Sequence, residues 1–237
     1  MKGLIVVVNF NQEKEIAKFL TELTSQNTSE DILLVDDGSS DSSLEKAKPF
    51  NTKIIQHDQN EGVGSAIRSG INFAHNNDYH YVVIMSANGK MLVSDLKNIT
   101  TPLLTGISDY VTGTRYHSQV TSPGISLFRK LSIPIFSKIC SLFLGKSFSD
   151  ITCGYRAYKV DFLLSSPIDI QQSWLNRYEM EYYIHYYAVK KNLTIKEIPV
   201  TIRYDHLESG RKSKIIPFVD WWKMIYPIIA LRLGLKK

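Results

Sequence analysis

Short hydrophobic runs alternate with amphipathic segments over the first ninety residues of this 237-residue chain. The runs are rich in β-branched residues, whereas the segments between them place apolar residues at helical spacing, as at Ile16, Phe19, Leu20 and Leu23. This pattern predicts strands at residues 4–8, 32–35, 52–57 and 81–85, and helices at residues 12–25, 42–48 and 62–76. Strands that alternate with helices pair in parallel through right-handed crossovers, so the predicted fold class is α/β with a doubly wound sheet.

Polar loops follow three of these strands. In doubly wound sheets, ligands bind beyond the carboxyl ends of the strands, where neighbouring loops converge. We therefore predict a binding crevice formed by the loops at residues 9–13, 36–41 and 86–90. The second half is less regular: residues 121–146 predict a loop that leads into a helix, and residues 178–187 predict an aromatic helix.

Composition narrows the function classes. The length and the 43% hydrophobic content suit one globular domain. A net charge of +5 favours an anionic partner such as a nucleotide diphosphate, a lipid phosphate or an acidic membrane surface. The basic residues are scattered and form no nucleic-acid-binding signature, so we expect no nucleic acid partner. Cys140 and Cys153 lack metal-ligand spacing and fit a reducing compartment.

Two adjacent carboxylates, Asp36 and Asp37, follow the second predicted strand, and Gly38 allows a tight turn after them. Carboxylates at this edge can accept hydrogen bonds from a base N–H or from ribose hydroxyls. The alternative is that the segment stabilises the start of the next helix through Ser39, Ser40 or Asp41. The two roles are compatible, with Asp41 capping and the first two aspartates binding.

Two glycines, Gly62 and Gly64, open the third predicted helix, which also carries Arg68. Free backbone N–H groups at a helix start can bind an anion or a nucleotide. A glycine pair alone is weak evidence, and its spacing is not that of the dinucleotide-binding fingerprint.

Several motifs, taken in order, resemble the family 2 inverting glycosyltransferases, whose fold is GT-A. Residues 11–13 match that family's N-x-E turn, residues 36–39 its D-D-G-S turn and residues 60–66 its N-x-G-x-x-x-A helix. Residues 113–115 resemble its G-S/T-R turn. Residues 150–156, DITCGYR, resemble the D-x-T-x-G-F/Y-R segment of the polyprenyl-phosphate (dolichyl-phosphate mannose synthase-like) sugar transferases, and Glu197 to Val200 followed by Ser213-Lys214 is similar to their E-I/V-P-V and S-K tail.

The resemblance implies a GT-A mixed sheet and a single displacement at the anomeric carbon of a UDP- or GDP-sugar, with inversion. The candidate catalytic residues are Asp150, Lys90 and Arg115, with Asp150 as base or acceptor-positioning residue and Glu179 and Glu181 as the next candidates. The implied nucleotide-sugar-binding residues are Asn9, Asn11, Glu13, Asp36, Asp37, Gly62, Gly64, Arg68, Ser86, Ala87 and Asn88. The implied ligands of the diphosphate or the acceptor phosphate are Arg203, Arg211 and Lys214.

One position departs from the family pattern. Where the family has D-x-D to hold Mg²⁺ or Mn²⁺, this chain has Ser86-Ala87-Asn88. Neutral oxygens are poor substitutes for two carboxylates around a hard cation, so a divalent cation is doubtful here. Lys90 lies two residues further on, and its ammonium group can neutralise the donor diphosphate instead. The alternative is a catalytically silent protein that only binds a nucleotide sugar.

The C-terminal segment, residues 215–237, is rich in Trp and apolar residues but is interrupted by charges and prolines. It is too broken for a spanning helix and predicts an amphipathic tail behind a glycosyltransferase domain at residues 1–214. A tail in the headgroup region would make the protein cytoplasmic and peripheral at the inner face of a membrane. The alternative is a helix packed on the domain or on a second subunit. A lipid phosphate is the expected acceptor, and a glycan hydroxyl is the alternative.

Overall fold

The computed structural model describes residues 1–26, 28–205 and 219–236, with only the backbone described at Val219 and Asp220. The strands are β1 Gly3–Asn9, β2 Asp31–Asp36, β3 Lys53–Gln56, β4 Tyr81–Ser86, β5 Tyr110–Thr114, β6 Arg156–Lys159 and β7 Ile195–Pro199. The α-helices are α1 Ile16–Ser25, α2 Ser43–Ala47, α3 Val63–Asn76, α4 Leu96–Leu104, α5 Leu127–Leu144, α6 Val160–Leu164, α7 Glu179–Lys190 and α8 Val219–Arg232.

All seven strands form one sheet in the order β3-β2-β1-β4-β6-β5-β7. Strand β6 pairs antiparallel with both of its neighbours, and the other pairings are parallel. The segment that leads into β6 therefore lies at the same edge as the loops that leave β1, β2, β4, β5 and β7. This single reversal brings residues 150–155 to the edge where the sequence predicts the binding crevice.

Alternate residues of β1 face opposite layers of the core, as the two-residue period of a strand requires. Leu4 and Val6 pack in one layer with side chains of α3 and α7, whereas Ile5 and Val7 pack in the other with α1 and α4. All four side chains are fully buried. A strand that is covered on both faces carries an unbroken run of apolar residues, so the position of β1 could be predicted correctly from the sequence.

The predicted strand bounds agree with the structure to within one residue. The predicted helix at residues 12–25 is wrong in its first four residues, because the backbone N–H groups of Glu15 and Ile16 both bond the Gln12 carbonyl in a turn, and α1 begins only at Ile16. Helix α5 lies within the 121–146 segment, and α7 covers the predicted aromatic helix. The prediction of an α/β fold with a mixed, doubly wound sheet is confirmed.

Helix α8 packs against α5 and α7 through a small third core. Met224 and Ile228 are buried there beside Phe136 and Tyr182. The helix is thus docked on the domain, while the predicted domain boundary at residues 214 and 215 lies outside the described residues. Within the described part of the chain, no helix is both long and apolar enough to cross a bilayer.

Candidate functional site

The loops that follow β1 and β2 are joined to each other by hydrogen bonds. Asn11 adopts a left-handed backbone (φ 53°), and its amide oxygen accepts the Ser40 N–H at 2.9 Å while its own N–H donates to Ser39 Oγ at 3.0 Å. The Glu13 N–H donates to Asp41 Oδ2 at 3.0 Å, and Glu13 Oε2 accepts the Ser42 N–H at 3.3 Å. The two loops therefore form one platform at the carboxyl edge of the sheet.

Asp36 is a buried anchor of this platform. Its carboxylate accepts hydrogen bonds from Asn9 Nδ2 at 2.6 Å and from the Ser39 N–H at 3.0 Å. The Asp36 side chain is buried and its oxygens already have partners, so it shapes the loop instead of presenting a free carboxylate to a base or a ribose. Asp41 accepts the N–H of Ser43, the first residue of α2, as expected for a residue that stabilises the start of this helix.

Asp37 holds the start of α3. Its carboxylate accepts the Gly62 N–H at 2.9 Å and the Asn60 side-chain amide at 2.8 Å, and it contacts His57 Nδ1 at 2.9 Å. The Asp37 carboxylate therefore lies at this helix start, where the sequence predicts that an anion could bind. Gly38, at φ +68°, is required because a Cβ there would lie 2.3 Å from the Gln59 carbonyl carbon.

The glycines of α3 face protein, not open space. A Cβ on Gly64 would lie 2.0 Å from the Leu175 carbonyl oxygen, and one on Gly62 would lie 2.4 Å from that of Asn176. Arg68 donates to the Ile170 carbonyl at 2.6 Å and to Asn176 Oδ1 at 2.8 Å. These contacts account for the two glycines and for Arg68 by close packing of α3 against residues 170–177.

The loop after β4 positions Lys90 beside Tyr204. Ala87 is buried, with its N–H bonded to the Val8 carbonyl, and the Asn88 side-chain oxygen accepts the Lys90 N–H at 3.1 Å. A β-bridge between Met91 and Ile202 joins this loop to the segment that follows β7. The Lys90 ammonium consequently lies 5.4 Å from the centre of the Tyr204 ring.

Two arginines complete a cluster of cations around Tyr204. The Arg129 guanidinium lies 5.2 Å from the ring centre, and Arg115 Nη1 donates to the tyrosine hydroxyl at 2.6 Å. Cations are attracted to the face of an aromatic ring, so the Tyr204 ring attracts both Lys90 and Arg129 while its hydroxyl binds Arg115. Lys90, Arg115 and Arg129 form what we term the cation cluster.

Asp150 fixes Arg115 through a buried ion pair. Arg115 Nε and Nη2 donate to the two oxygens of Asp150 at 2.6 and 2.7 Å, and the Arg115 N–H adds a third bond at 3.1 Å. Burial lowers the pKa of the Arg115 guanidinium, but the Asp150 carboxylate outweighs this and raises that pKa well above its ordinary value. Because Asp150 is fully buried and faces a guanidinium, this geometry suits a positioning residue and not a general base.

A cavity of about 600 Å³ opens beside the cation cluster. Its wall is mostly apolar and aromatic, and the polar side chains on it include Asn88, Thr152, Glu181 and the three members of the cation cluster. The apolar side chains on the wall include Met91, Phe128, Ile133, Ile202, Trp221 and Met224. An elongated apolar group ending in a phosphate matches this combination of surfaces.

The Glu181 carboxylate lies on the cavity wall, whereas the Asp150 carboxylate does not. It lies 3.5 Å from the buried Arg156, whose guanidinium also donates to the carbonyls of Cys153 and Ile151. Burial lowers the pKa of Arg156, but Tyr110 and Glu181 outweigh it and raise that pKa above its ordinary value. Glu181 is therefore held in place by a permanent charge.

The structure brings the predicted residues Lys90, Arg115 and Asn88 together on one cavity wall, together with Arg129 and Tyr204, which the sequence did not single out. Arg203 lies next to Tyr204, but its guanidinium pairs with Asp205 at 3.2 Å and is not on the cavity wall. Arg211 and Lys214 lie outside the described residues.

The donor set at the D-x-D position does not suit a divalent cation. Ser86 and Asn88 offer neutral oxygens, the Asn88 oxygen already accepts the Lys90 N–H, and a lysine stands beside them. Among residues 1–26, 28–205 and 219–236, no group of three or more His, Cys, Asp or Glu side chains could hold a metal.

Two known proteins are similar to most of the chain. The chain is 25% identical to the UDP-N-acetylglucosamine–dolichyl-phosphate N-acetylglucosaminyltransferase of Methanococcus voltae, over 97% of this chain and 96% of that protein. It is also 25% identical to the polyprenol monophosphomannose synthase of Mycolicibacterium smegmatis, over 90% of this chain and 81% of that protein.

A similar solved structure is glucosyl-3-phosphoglycerate synthase from Mycobacterium tuberculosis in complex with Mn²⁺, uridine diphosphate and glucosyl-3-phosphoglycerate. It is 12% identical, the match covers 100% of this chain and 81% of that one, and the TM-score is 0.66, which confirms the GT-A fold. The model of the family described as glycosyl transferase family 2 matches residues 4–164. The chain belongs to glycosyl transferase family 2 and is a glycosyltransferase.

Proposed function

We propose that this protein transfers a hexose from a UDP- or GDP-sugar to a polyprenyl phosphate, with inversion at the anomeric carbon. The observation that carries the proposal is the cavity itself, whose apolar wall ends at three cations around Tyr204. An apolar wall suits an isoprenoid chain, and clustered cations suit a phosphate. The names of the dolichyl-phosphate and polyprenol relatives support the same acceptor class.

The nucleotide of the donor lies on the platform formed by the loops after β1 and β2. Asn9, Asn11, Glu13, Asp36 and Asp37 shape this platform through the hydrogen bonds between its loops. A platform fixed in this way binds a rigid base and ribose without first losing loop entropy. Ser86, Ala87 and Asn88 border it on the side of the cavity.

Lys90 neutralises the donor diphosphate. Its backbone is fixed by Asn88 and by the Arg203 N–H, which donates to the Lys90 carbonyl at 2.8 Å. A positioned ammonium group stabilises the negative charge that develops on the leaving diphosphate. The Lys90 ammonium group takes the place of a divalent cation, because the neutral oxygens of Ser86 and Asn88 are weak ligands for Mg²⁺ or Mn²⁺.

Arg115 and Arg129 bind the acceptor phosphate. The second pKa of a phosphate monoester is about 6, so its oxygen is anionic at neutral pH and requires no general base. That oxygen attacks the anomeric carbon, the bond from this carbon to the diphosphate oxygen breaks, and the electron pair leaves with the nucleoside diphosphate. Asp150 serves this step by holding Arg115.

A hydroxyl acceptor is the second candidate, and Glu181 is the observation that favours it. A hydroxyl must lose its proton during attack, and the Glu181 carboxylate on the cavity wall can accept it. With a phosphate acceptor, the same carboxylate has no proton to remove and is left to bind sugar hydroxyls.

We place the protein at the inner, cytoplasmic face of a membrane, where a polyprenyl phosphate would be reached. Both cysteines are free and buried, and burial raises the pKa of the Cys140 and Cys153 thiols to about 12. Unreactive reduced thiols are compatible with a reducing compartment.

The test measures transfer from a panel of UDP- and GDP-sugars to short polyprenyl phosphates and to oligosaccharide hydroxyls, each with Mn²⁺, with Mg²⁺ and with chelator. Transfer to polyprenyl phosphate that survives chelation supports the proposal and the role of Lys90. Strict metal dependence would overturn the role of Lys90 but not the acceptor. Transfer to hydroxyls alone would favour the second candidate, and donor binding without turnover under all conditions would indicate a silent binding protein.

A further inference from the structure

Main-chain hydrogen bonds hold Tyr204 between two loops of the site. The Tyr204 N–H donates to the Pro123 carbonyl at 2.8 Å, which joins it to the loop before α5. The N–H of the preceding residue donates to the Lys90 carbonyl at 2.8 Å, which joins it to the loop after β4. Gly124, at φ +74°, allows this close approach, because a Cβ there would lie 2.7 Å from the Asp205 nitrogen. The backbone that carries the Tyr204 ring is therefore fixed on both sides.

The side chain of Tyr204 contacts three cations that come from three different parts of the chain. The Lys90 ammonium, in the loop after β4, lies 5.4 Å from the ring centre, and the Arg129 guanidinium, on α5, lies 5.2 Å from it. The hydroxyl accepts a hydrogen bond at 2.6 Å from Nη1 of Arg115, which follows β5. The ring and the hydroxyl thus act on different cations, and a substitution can remove one contact without the other.

The three cations serve two different substrates in the proposed function. Lys90 neutralises the donor diphosphate, whereas Arg115 and Arg129 bind the acceptor phosphate. All three cations and Tyr204 line the same cavity. The face of an aromatic ring attracts a cation, and a hydroxyl oxygen orients a guanidinium through its hydrogen bond. Tyr204 therefore contacts the cations of both the donor half and the acceptor half of the site.

We propose that Tyr204 is a positioning residue that couples the donor half of the site to the acceptor half. Its ring holds Lys90 beside the leaving diphosphate and Arg129 beside the acceptor phosphate, and its hydroxyl orients Arg115. A phosphate oxygen that attacks the anomeric carbon must be aligned with the leaving oxygen, so the cations of the two substrates must keep a fixed spacing. This inference rests on the proposed function for the identity of the two ligands, and it assigns their spacing to one aromatic side chain.

Two substitutions separate the ring from the hydroxyl in steady-state assays with a short polyprenyl phosphate as acceptor. Y204F keeps the ring and removes only the bond to Arg115, so the acceptor KM should rise about tenfold while kcat falls by less than about twofold. Y204L also removes the ring. Its kcat should fall about five- to tenfold because Lys90 loses the attraction of the ring, and its acceptor KM should exceed that of Y204F because Arg129 loses it as well.

The matched control is Tyr186 of α7, which has similar contacts but does not line the cavity. Its ring faces the Lys190 ammonium at 5.5 Å, and its hydroxyl donates to the Leu231 carbonyl at 3.1 Å. Y186F and Y186L should leave kcat and KM within about twofold of the wild-type values. An acceptor KM of Y204F equal to that of the wild type would overturn the role of the hydroxyl, and a kcat of Y204L equal to that of Y204F would overturn the role of the ring.

Calorimetry tests the same inference without turnover. The probes are geranyl phosphate for the acceptor half, and UDP and GDP for the donor half, each titrated alone. Y204F should weaken geranyl phosphate binding about tenfold and leave nucleoside diphosphate binding unchanged, whereas Y204L should weaken both. In the K90M background, Y204L should cause no further loss of nucleoside diphosphate affinity, since the ring acts on that ligand through Lys90.

Each outcome of the calorimetry has a different consequence. Binding constants that change as expected in a protein that transfers no sugar would overturn the proposed function and leave the coupling role of Tyr204 in place. Unchanged binding by both Tyr204 variants, or additive losses in K90M/Y204L, would overturn the coupling role and leave the proposed function intact. Loss of both ligands in Y204F would also overturn the coupling role, because it would indicate a general collapse of the site. A wild-type protein that binds neither kind of probe would overturn both proposals.

Discussion

Replacing Asp150 by asparagine should destabilise the protein by about 3–5 kcal/mol, since it leaves a buried guanidinium without its partner. The Asp150 and Arg115 side chains are 0% and 7% exposed, and Asp150 accepts three bonds from Arg115 and two from Thr152. Two unit charges about 4 Å apart interact by about 4 kcal/mol at an effective dielectric constant of about 20. Asparagine keeps the shape but removes this attraction.

The assay is urea unfolding followed by circular dichroism. With a slope of about 3 kcal/mol per molar, the loss lowers the midpoint by about 1–1.7 M. The matched control is D109N, which removes the same charge from the Lys159–Asp109 pair at 2.7 Å, where both side chains are about one-third exposed. Exposed pairs contribute about 0–1 kcal/mol, so the control midpoint should move far less.

Kinetics separate positioning from base catalysis at Asp150. If Asp150 holds Arg115, D150N should raise the KM for the acceptor phosphate more than it lowers kcat. A D150N protein as stable as D109N, with acceptor KM unchanged and kcat falling at every pH, would refute the ion-pair reasoning and restore Asp150 as a base.

Three further predictions concern other parts of the site. K90M should lower kcat about 10²- to 10³-fold in steady-state assays, because it removes the charge that stabilises the leaving diphosphate, and added Mn²⁺ should not restore it. G64A should lower the free energy of unfolding by about 1–3 kcal/mol, because its Cβ would lie 2.0 Å from the Leu175 carbonyl oxygen, as a urea titration would measure. E179Q should flatten the decline in unfolding free energy above pH 4.5. Burial raises the pKa of Glu179 in the native state above its ordinary value of 4.5. Between the unfolded-state pKa and the native-state pKa, the native state binds more protons than the unfolded state, so stability falls as pH rises.

Each of these predictions can be contradicted by a measurement. K97M removes an exposed lysine of α4 and should leave kcat unchanged; equal rates for K90M and wild type would contradict the role of Lys90. G154A places a Cβ at ordinary distances of 3.4 Å and more, so it should not alter stability, and a G64A protein of equal stability would refute the close-packing argument. An E179Q protein whose unfolding free energy declines above pH 4.5 as steeply as that of the wild type would contradict the raised pKa of Glu179.

Sequence reasoning located the sheet well because buried parallel strands leave a continuous apolar run, as residues 4–8 show. It also located the loop of Asp36 and Asp37 at the correct edge. It could not assign what these carboxylates bind, because the partners of Asp37 lie twenty to twenty-five residues further on. Local patterns do not report such contacts.

The cation cluster was predicted only in part for the same reason. Lys90 and Arg115 follow strands and belong to recognisable motifs, whereas Tyr204 reaches them through a bridge between Met91 and Ile202. Arg129 sits in an apolar and basic segment whose only local signal is its lack of acidic residues. Tertiary pairing, not spacing along the chain, brings these side chains together.

The cavity wall is formed by side chains from residues 88–154 and from residues 178–224. The family model ends at residue 164, yet Tyr178, Glu181, Trp221 and Met224 lie on the cavity wall beyond that point. The loops that form the platform all precede it. Chimeras joined after α6 would therefore exchange the later part of the cavity wall, while the platform and the arginines of the cation cluster would stay in place.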